Sequence, residues 1–208
     1  MVSQLKVNEI IKQSGSSITI GESGDTVNVP SGATLDIASG ATITNSGTAT
    51  GFGATNKPAF FAYASANLTC SDGASTKAPL NTAPLDTSSG FNTSTYRFTV
   101  PSGGAGTYFV NFAGKTSIVS GSNAIYYTQM QLKKNGSDIA KQILDMRNPS
   151  SAVSDISQQI NLNVPFLGAL ADGDYLEGWV ETFTNGGVPR IAGESTPVTY
   201  LLGYRIYT

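Results

Sequence analysis

The sequence predicts an all-β protein, with an N-terminal shaft of short β repeats and a C-terminal β-sandwich or jelly-roll head. Three observations indicate this fold class. Ser-Gly pairs begin at residues 14, 23, 31, 39 and 46, and short alternation of apolar and hydroxyl side chains follows them. Later segments alternate apolar and polar residues with the period of two that is typical of half-buried strands. No stretch shows the long 3.6-residue period of an amphipathic helix.

The first thirteen residues form a segment of mixed charged and apolar side chains. Lys6, Glu9 and Lys12 interrupt its apolar residues, and it lacks the continuous apolar core and the cleavage site of a signal peptide. No apolar run in the chain approaches the ~18 residues that cross a bilayer. We therefore expect a soluble protein that is made in a cytoplasm and does not insert into a membrane.

The Ser-Gly repeats predict short strands that need partner chains. Each repeat offers a strand of three or four residues with two apolar side chains, which bury too little area to offset the entropy of ordering the backbone. Stacking of repeats and intertwining with identical chains, in a trimeric β-helix-like shaft, supply the missing burial. A flexible Gly/Ser linker is the alternative, but linkers do not place apolar residues in register. The residues predicted to contact sister chains are Ile18, Ile20, Val27, Val29, Leu35 and Ile37.

Residues 46–58 lose the apolar positions and are rich in glycine, which predicts a neck. The boundary between shaft and head is therefore expected in this segment. The predicted divisions are an attachment segment at 1–13, a shaft at 14–52, a neck at 53–58 and a head domain at 59–208.

The head shows strand and hairpin patterns throughout. Apolar and polar residues alternate from Ile156 to Val164 and again from Val198 to Ile206. Asn135-Gly136 is the strongest hairpin dipeptide, and Asp172-Gly173-Asp174 marks a second turn. About 150 residues with eight to ten such strands fit a two-sheet sandwich or a jelly roll.

Composition disfavours several classes of function. Charged residues make up 12% of the chain, about half the usual ~25%, and the formal charge is −2 with a pI near 5.0. Such a chain has no basic field to attract a nucleic acid or an anionic membrane. Histidine is absent, which removes the commonest general base, the usual zinc ligand and every histidine-activated nucleophile. We expect a protein that is not an enzyme, with no catalytic residue and no cofactor.

Two loops resemble ligand sites. The segment Gly103-Gly104-Ala105-Gly106 lacks the lysine and helix of a phosphate-binding loop, so a loop between strands is expected there. Asp172 and Asp174 offer oxygen ligands for calcium, although Asp-Gly-Asp is also a common turn, which is the favoured interpretation. The sequence leaves the calcium question open, and no metal ligand is assigned.

Tryptophan, cysteine and sequon asparagine residues could each bind a ligand or carry a modification. Trp179 could stack on a sugar, but its place in an alternating run favours the core. Cys70 stands alone, so an intrachain disulfide is impossible and a buried, small apolar role is expected. The glycosylation sequons at Asn67, Asn92 and Asn135 are expected to be chance matches, because no signal peptide precedes them.

An ordered set of motifs resembles the globular head of the first complement component, a branch of the tumour-necrosis-factor-like jelly rolls. The motifs include the aromatic strand Gly106–Phe112, a Lys-Asn-Gly hairpin at 134–136, an Asp-Gly-Asp corner and the closing strand Tyr200–Ile206. Two further motifs are Phe91-Asn92 and Tyr96–Pro101. The hairpin lies within Leu132–Gly136, and the corner lies within Ala171–Leu176. The resemblance covers roughly residues 58–208.

This resemblance implies a ten-stranded jelly roll that forms a compact trimer around an aromatic and aliphatic axis. Aromatic residues also exceed what one small sandwich readily holds, and they favour interfaces. The residues expected near the axis are Tyr108, Phe112, Tyr204 and Tyr207. The family's collagen-like stalk is missing, so its immune roles are not expected here.

The opening segment Leu5–Gly15, followed by short β repeats, resembles the start of tail-fibre and other structural proteins of marine bacteriophages, especially those of cyanobacteria. That resemblance implies an N-terminal segment that plugs into other virion proteins and a head that points outward. The predicted function is therefore a homotrimeric virion fibre that attaches to a host-surface glycan or protein. A capsid or collar fibre with weak adhesion is the alternative, and a carboxylate depolymerase is a third, disfavoured because the head leaves little room for a long groove.

Overall fold

The computed structural model describes residues 10–11, 14–44, 46, 56–119, 125–146 and 159–207 of the chain. The chain divides into two units, residues 1–50 and 51–208. Apart from Ile10 and Ile11, the predicted attachment segment lies outside the described residues, as do residues 53–55 of the neck and Ile156. The predicted bounds of these segments stay predictions.

Tight turns recur every eight residues in the N-terminal unit. In each turn a carbonyl oxygen accepts a hydrogen bond of 3.0–3.1 Å from the amide three residues later. The third residue of each turn is a glycine with φ between 83° and 94°, a conformation that glycine adopts without a steric penalty. The acceptor and donor pairs are Glu22 with Asp25, Pro30 with Ala33, and Ala38 with Ala41. The prediction that Ser-Gly pairs mark turns is confirmed at these three positions.

Apolar side chains of the N-terminal unit are exposed to water in the single chain. None of the described residues between 14 and 44 belongs to a strand, so the predicted β-repeat shaft is not shown by the single chain. The exposed fractions of the apolar side chains run from 42% to 68%. These side chains are Ile18, Ile20, Val27, Val29, Leu35, Ile37 and Ile43. Strand pairing in this unit therefore stays a prediction about an assembly.

The described part of the head contains thirteen strands, more than the eight to ten expected, because five of them have only two or three residues. It contains no helix that could cross a membrane. The strands are β1 (Ala59–Tyr63), β2 (Leu68–Thr69), β3 (Thr76–Lys77), β4 (Thr82–Asp86), β5 (Phe91–Asn92), β6 (Arg97–Thr99), β7 (Gly106–Ile118), β8 (Ile125–Lys134), β9 (Ser137–Asp145), β10 (Gln159–Leu170), β11 (Tyr175–Thr184), β12 (Pro189–Ile191) and β13 (Tyr200–Tyr207).

Two antiparallel sheets form a jelly-roll-like sandwich. In the first sheet, every residue of β10 pairs with β7 along one edge of β7. The other edge of β7 pairs first with β13 and then with β12. Strands β1 and β4 continue this sheet beyond β13, and β2 adds to β12. In the second sheet β11 is central, with β8 and β9 on one side and β6 and β3 on the other. The all-β prediction is confirmed.

The predicted turns of the head connect long strands. Asn135 and Gly136 have φ of 52° and 82°, as a two-residue type I′ hairpin requires, and they join β8 to β9. Asp172 and Gly173 lie between β10 and β11. Gly103, Gly104 and Ala105 lie between β6 and β7, and Gly106 is the first residue of β7, so this segment connects two strands as predicted.

The core corrects two of the predicted interface residues. Tyr108 and Phe112 are fully buried inside a single chain, so neither ring is available to a sister chain. Tyr108 donates a 2.6 Å hydrogen bond to the Gly104 carbonyl, and burial raises its pKa to about 12. The largest buried residues are Phe60, Leu80, Phe98, Tyr108, Phe112, Met130, Leu132, Leu176, Ile191 and Leu201.

Three buried threonine hydroxyls join the two sheets. The Oγ1 of Thr128 on β8 lies 3.2 Å from that of Thr116 on β7 and 2.7 Å from that of Thr182 on β11. All three residues are at most 4% exposed. Because buried hydroxyls need partners, Thr128 stabilises both of its neighbours.

Replacing Thr128 tests this inter-sheet contact. Thr128→Val removes the shared hydroxyl and takes a partner from two buried hydroxyls, so we expect the free energy of unfolding to fall by about 1–3 kcal/mol. Urea denaturation measures the change. Thr93→Val, in an exposed turn, is the control and should stay within about 0.5 kcal/mol of the wild type. Equal stabilities of the two variants would contradict the role of the hydroxyl.

Candidate functional site

Aromatic side chains cover the surface of the first sheet that points away from the core. They alternate with buried residues along β1, β7 and β13. Strand register places Phe61 opposite Leu202, Tyr63 opposite Tyr200, and Phe109 opposite Tyr204. We call this the outer aromatic face, and its residues are Phe61, Tyr63, Phe109, Tyr200, Leu202 and Tyr204.

Ring contacts connect the outer aromatic face within one chain. The centroids of Phe61 and Tyr200 are 5.6 Å apart, and those of Phe109 and Tyr204 are 5.8 Å apart. Tyr204 is 38% exposed, so this predicted interface residue remains accessible on the outer aromatic face, and Tyr207 near the end of β13 is 58% exposed. Phe109, the neighbour of Tyr204, takes the position that the sequence analysis assigned to Tyr108, because adjacent strand residues point to opposite faces.

The second sheet has an outward face of different chemistry, which we call the tryptophan face. It consists of Lys77, Arg97, Lys133, Tyr175, Glu177 and Trp179. Trp179 is partly exposed on β11, while its neighbours Gly178 and Val180 are buried, so the favoured core assignment of this residue was wrong. Register places Lys77 opposite Trp179 and Lys133 opposite Glu177.

Glu177 organises the tryptophan face. Its Oε1 accepts hydrogen bonds from Lys77 Nζ at 2.7 Å and from Arg97 Nε and Nη2 at 2.9 and 2.7 Å. Its Oε2 accepts a 3.0 Å bond from the Trp179 indole. The Glu177 side chain is 4% exposed, whereas those of Lys77 and Arg97 are 25% and 35% exposed. One buried carboxylate thus holds two cations at the surface and orients the indole ring.

The ionisation of Glu177 follows from these partners. Burial by itself raises the pKa of the carboxyl, but hydrogen bonds from Lys77, Arg97 and Trp179 outweigh it. The pKa of Glu177 therefore lies below its ordinary value of 4.5. The carboxylate is charged at neutral pH and matches one of the two cations that it binds.

Cations lie close to both aromatic rings of the tryptophan face. The Arg97 guanidinium lies 3.6 Å from the centroid of the Tyr175 ring, which it covers. Lys133 Nζ and Lys77 Nζ lie 4.8 and 5.6 Å from the centroid of Trp179. Both rings are partly exposed, so each has a cation at one side and water at another part of its surface.

Asp172 and Asp174 serve the turn between β10 and β11. The Asp172 carboxylate accepts 2.7 Å hydrogen bonds from the amides of Gly103 and Ala105, which lower its pKa. The amide of Ala171 and the side chain of Asn135 likewise lower the pKa of Asp174. These donors support the favoured turn interpretation. Within the described ranges, no three histidine, cysteine or acidic side chains are grouped as a metal site.

The remaining candidate residues have structural roles. Cys70 is half-buried and packs against the core, where burial raises the pKa of its thiol, so the expected buried, apolar role is met in part. The side-chain oxygens of the three sequon residues all accept backbone hydrogen bonds. These residues are Asn67, Asn92 and Asn135.

Comparison with known proteins finds likeness at the level of structure. The chain matches no protein-family model and no curated protein. The globular domain of zebrafish complement 1qA protein matches with 18% identity and a TM-score of 0.46, over 73% of this chain and 98% of that domain. Eiger TNF from S. frugiperda matches with 14% identity and a TM-score of 0.46, over 72% of this chain and 94% of that protein.

These neighbours are jelly-roll domains of the two kinds that the head motifs resemble. At this identity and TM-score they are likenesses and carry no conclusion about this chain. Nothing in them indicates a bacteriophage origin, so the function and location of this chain are proposals.

The tryptophan face was not predicted from the sequence, although the sequence contains one signal for it. Tyr175, Glu177 and Trp179 alternate with Leu176, Gly178 and Val180, so they had to share a face of one strand. A charged residue in that row marks it as the outward row. The cations of the face come from β3, β6 and β8, which only the folded sheet brings beside β11.

Glu177→Gln tests the role of the buried carboxylate. At neutral pH the variant keeps the shape of the side chain but leaves two cations without their counter-charge, so we expect the free energy of unfolding to fall by about 1–3 kcal/mol. A carboxyl with a lowered folded pKa stabilises above its unfolded pKa, and this contribution disappears as the pH falls through the folded value. The stability gap between wild type and variant should therefore narrow below pH 4.5.

Guanidinium denaturation at pH 7 and pH 3 measures this gap. Asp138→Asn, which removes an exposed carboxylate paired with Lys133 at 3.6 Å, is the matched control and should change stability by less than about 1 kcal/mol. A gap that stays constant with pH would contradict the assigned role of Glu177.

Proposed function

We propose that the chain is the subunit of a homotrimeric bacteriophage fibre that attaches the virion to a host-cell surface. The observation that carries this proposal is the regular exposure of apolar side chains between the eight-residue turns of the N-terminal unit. Such side chains are unfavourable in water, and their fixed spacing suits a repeated contact with identical chains.

The shaft argument rests on the small size of each repeat. Val27 and Val29 lie between one pair of turns, and Leu35 and Ile37 lie eight residues later between the next. A unit with two apolar side chains cannot compensate for ordering eight residues of backbone. Three copies that pack these side chains against each other bury them and pair strand edges that a single chain leaves open.

The head contributes a second contact between subunits. The outer aromatic face places five aromatic rings and a leucine on a flat sheet surface, the composition that protein interfaces favour. In a three-fold assembly, the interface surface of one subunit contacts a different surface of the next subunit. Each subunit therefore needs two complementary patches. The long outward row of β10, which includes the 65% exposed Leu167, provides a neighbouring patch.

The proposed attachment requires no catalytic group in the head. The described residues present carboxylates that serve structural hydrogen bonds, and the chain has no histidine for acid-base chemistry. A virion that carries several fibres needs only weak binding at each head, because contacts on one particle act together.

The oligomeric state of the purified protein tests the assembly. We expect a native mass near three times 21.6 kDa, measured by native mass spectrometry. Leu202→Glu places a charge on the outer aromatic face and should lower the fraction of trimer. Ile143→Glu is the matched control, since this residue is 43% exposed on β9 of the other sheet, and it should keep the wild-type mass.

Hydrogen exchange distinguishes the shaft from a linker. Amides of residues 14–44 should exchange more slowly in the trimer than in an unstructured peptide. A wild-type mass of 21.6 kDa, with this segment exchanging at the rate of a free peptide, would overturn the proposed fibre.

Labelling of particles tests the place of the fibre. An antibody against the head, applied to intact particles and viewed by electron microscopy, should mark the tail. Label on the capsid or collar would reject the tail position in favour of a decoration fibre, which shares the same fold. Absence of the chain from purified particles would overturn the virion proposal itself.

A further inference from the structure

We propose that the tryptophan face is the receptor-binding site of the head, and that its ligand is an acidic polysaccharide that carries uronate carboxylates. This inference rests on the proposed attachment function and adds the chemical class of the receptor and the residues that bind it. Trp179 stacks on a sugar ring, and Lys77 and Arg97 bind the carboxylate.

The indole ring makes this face suited to a sugar. A pyranose presents a flat patch of C–H groups on one side and hydroxyls at its rim, which fits an indole with polar groups around it. Trp179 is held by its own hydrogen bond to Glu177, so the ring is oriented before a ligand arrives. Arg97 lies 3.6 Å from the centroid of Tyr175, whereas the ammonium groups near Trp179 lie 4.8 and 5.6 Å from its centroid, so Trp179 is the ring that we assign to stacking.

The charge of the face selects an acidic ligand. Two cations share the single Glu177 carboxylate, so this part of the face has one positive charge in excess. The carboxylate is buried beneath them, and a ligand therefore meets the partly exposed ammonium and guanidinium groups. Lys133 is matched by Asp138, and Glu181 follows Trp179 by two residues in the same outward row, so the excess positive charge lies on the Lys77 and Arg97 side of the indole. The positive excess is confined to a small area, which fits one carboxylate beside one sugar ring better than a long polyanion.

Preorganisation strengthens a weak surface site. Guanidinium and carboxylate ligands meet in a planar, charge-assisted geometry, and Arg97 is already fixed by two hydrogen bonds to Glu177 and by stacking on Tyr175. Binding then orders few further side chains, so less entropy is lost. Three such sites on a trimer, and several trimers on a virion, raise the total avidity.

The sole tryptophan of the chain reports directly on this site. The full-length protein is titrated with oligogalacturonate while Trp179 fluorescence is followed, and the same oligomer with methyl-esterified carboxyls is the ligand control. We expect a saturable change in emission with the acid and a much weaker one with the ester. Trp179→Ala, measured by calorimetry, should abolish binding.

Substitutions of single cations locate the carboxylate. Arg97→Gln should raise the dissociation constant about tenfold, the effect of one lost charge-assisted hydrogen bond. Lys141→Gln removes the same charge from an exposed position on β9 and should change it less than about twofold. Denaturation of both variants verifies that they are folded.

Three results would overturn the inference: no saturable change with the acid, an equal response to the ester, or equal weakening by Arg97→Gln and Lys141→Gln. Native mass separates this failure from failure of the fibre. A trimer that ignores the uronate rejects the ligand and keeps the fibre, whereas a monomer that binds it rejects the fibre and keeps the site.

Discussion

The head depends on one constraint: each long strand must send alternate side chains into a single core between two sheets. Strand β7 has thirteen residues and pairs along both edges, so its inward row, which includes Tyr108 and Phe112, anchors the first sheet. The Thr116, Thr128 and Thr182 hydroxyls tie that sheet to the second. Once the inward rows are buried, the outward rows are free to take on other chemistry.

The two outward faces differ in charge. The outer aromatic face consists of uncharged side chains, whereas the tryptophan face contains three cations and a buried carboxylate. On the first sheet, ring meets ring across β1, β7 and β13, with Phe61 near Tyr200 and Phe109 near Tyr204. On the second sheet, every aromatic side chain of the tryptophan face contacts a cation, and Glu177 is the buried group that makes this arrangement stable. An apolar face suits association with copies of the same chain, while a charged aromatic face stays compatible with water until a ligand arrives.

Local signals were sufficient for much of the fold. The Asn135-Gly136 hairpin and the strand Tyr200–Tyr207 are determined by residues that are adjacent in sequence, so the sequence predicts them. Alternation also shows which residues share a face, but it does not show which face points inward, and this is why Tyr108 and Trp179 were placed on the wrong sides. The partners Arg97 and Lys77 are 80 and 100 residues away from Glu177 along the chain. Only the pairing of strands in the folded sheet brings them beside Glu177, so local sequence patterns do not predict these contacts.

The eight-residue return of the N-terminal turns has an evolutionary consequence. Gain or loss of eight residues, from one glycine turn to the next, preserves the order of apolar and polar side chains on either side of the change. An insertion or deletion that is not a multiple of eight residues disturbs that order. Related chains can therefore differ in the number of turns, by recombination between similar units, while the sandwich at the C-terminus stays the same.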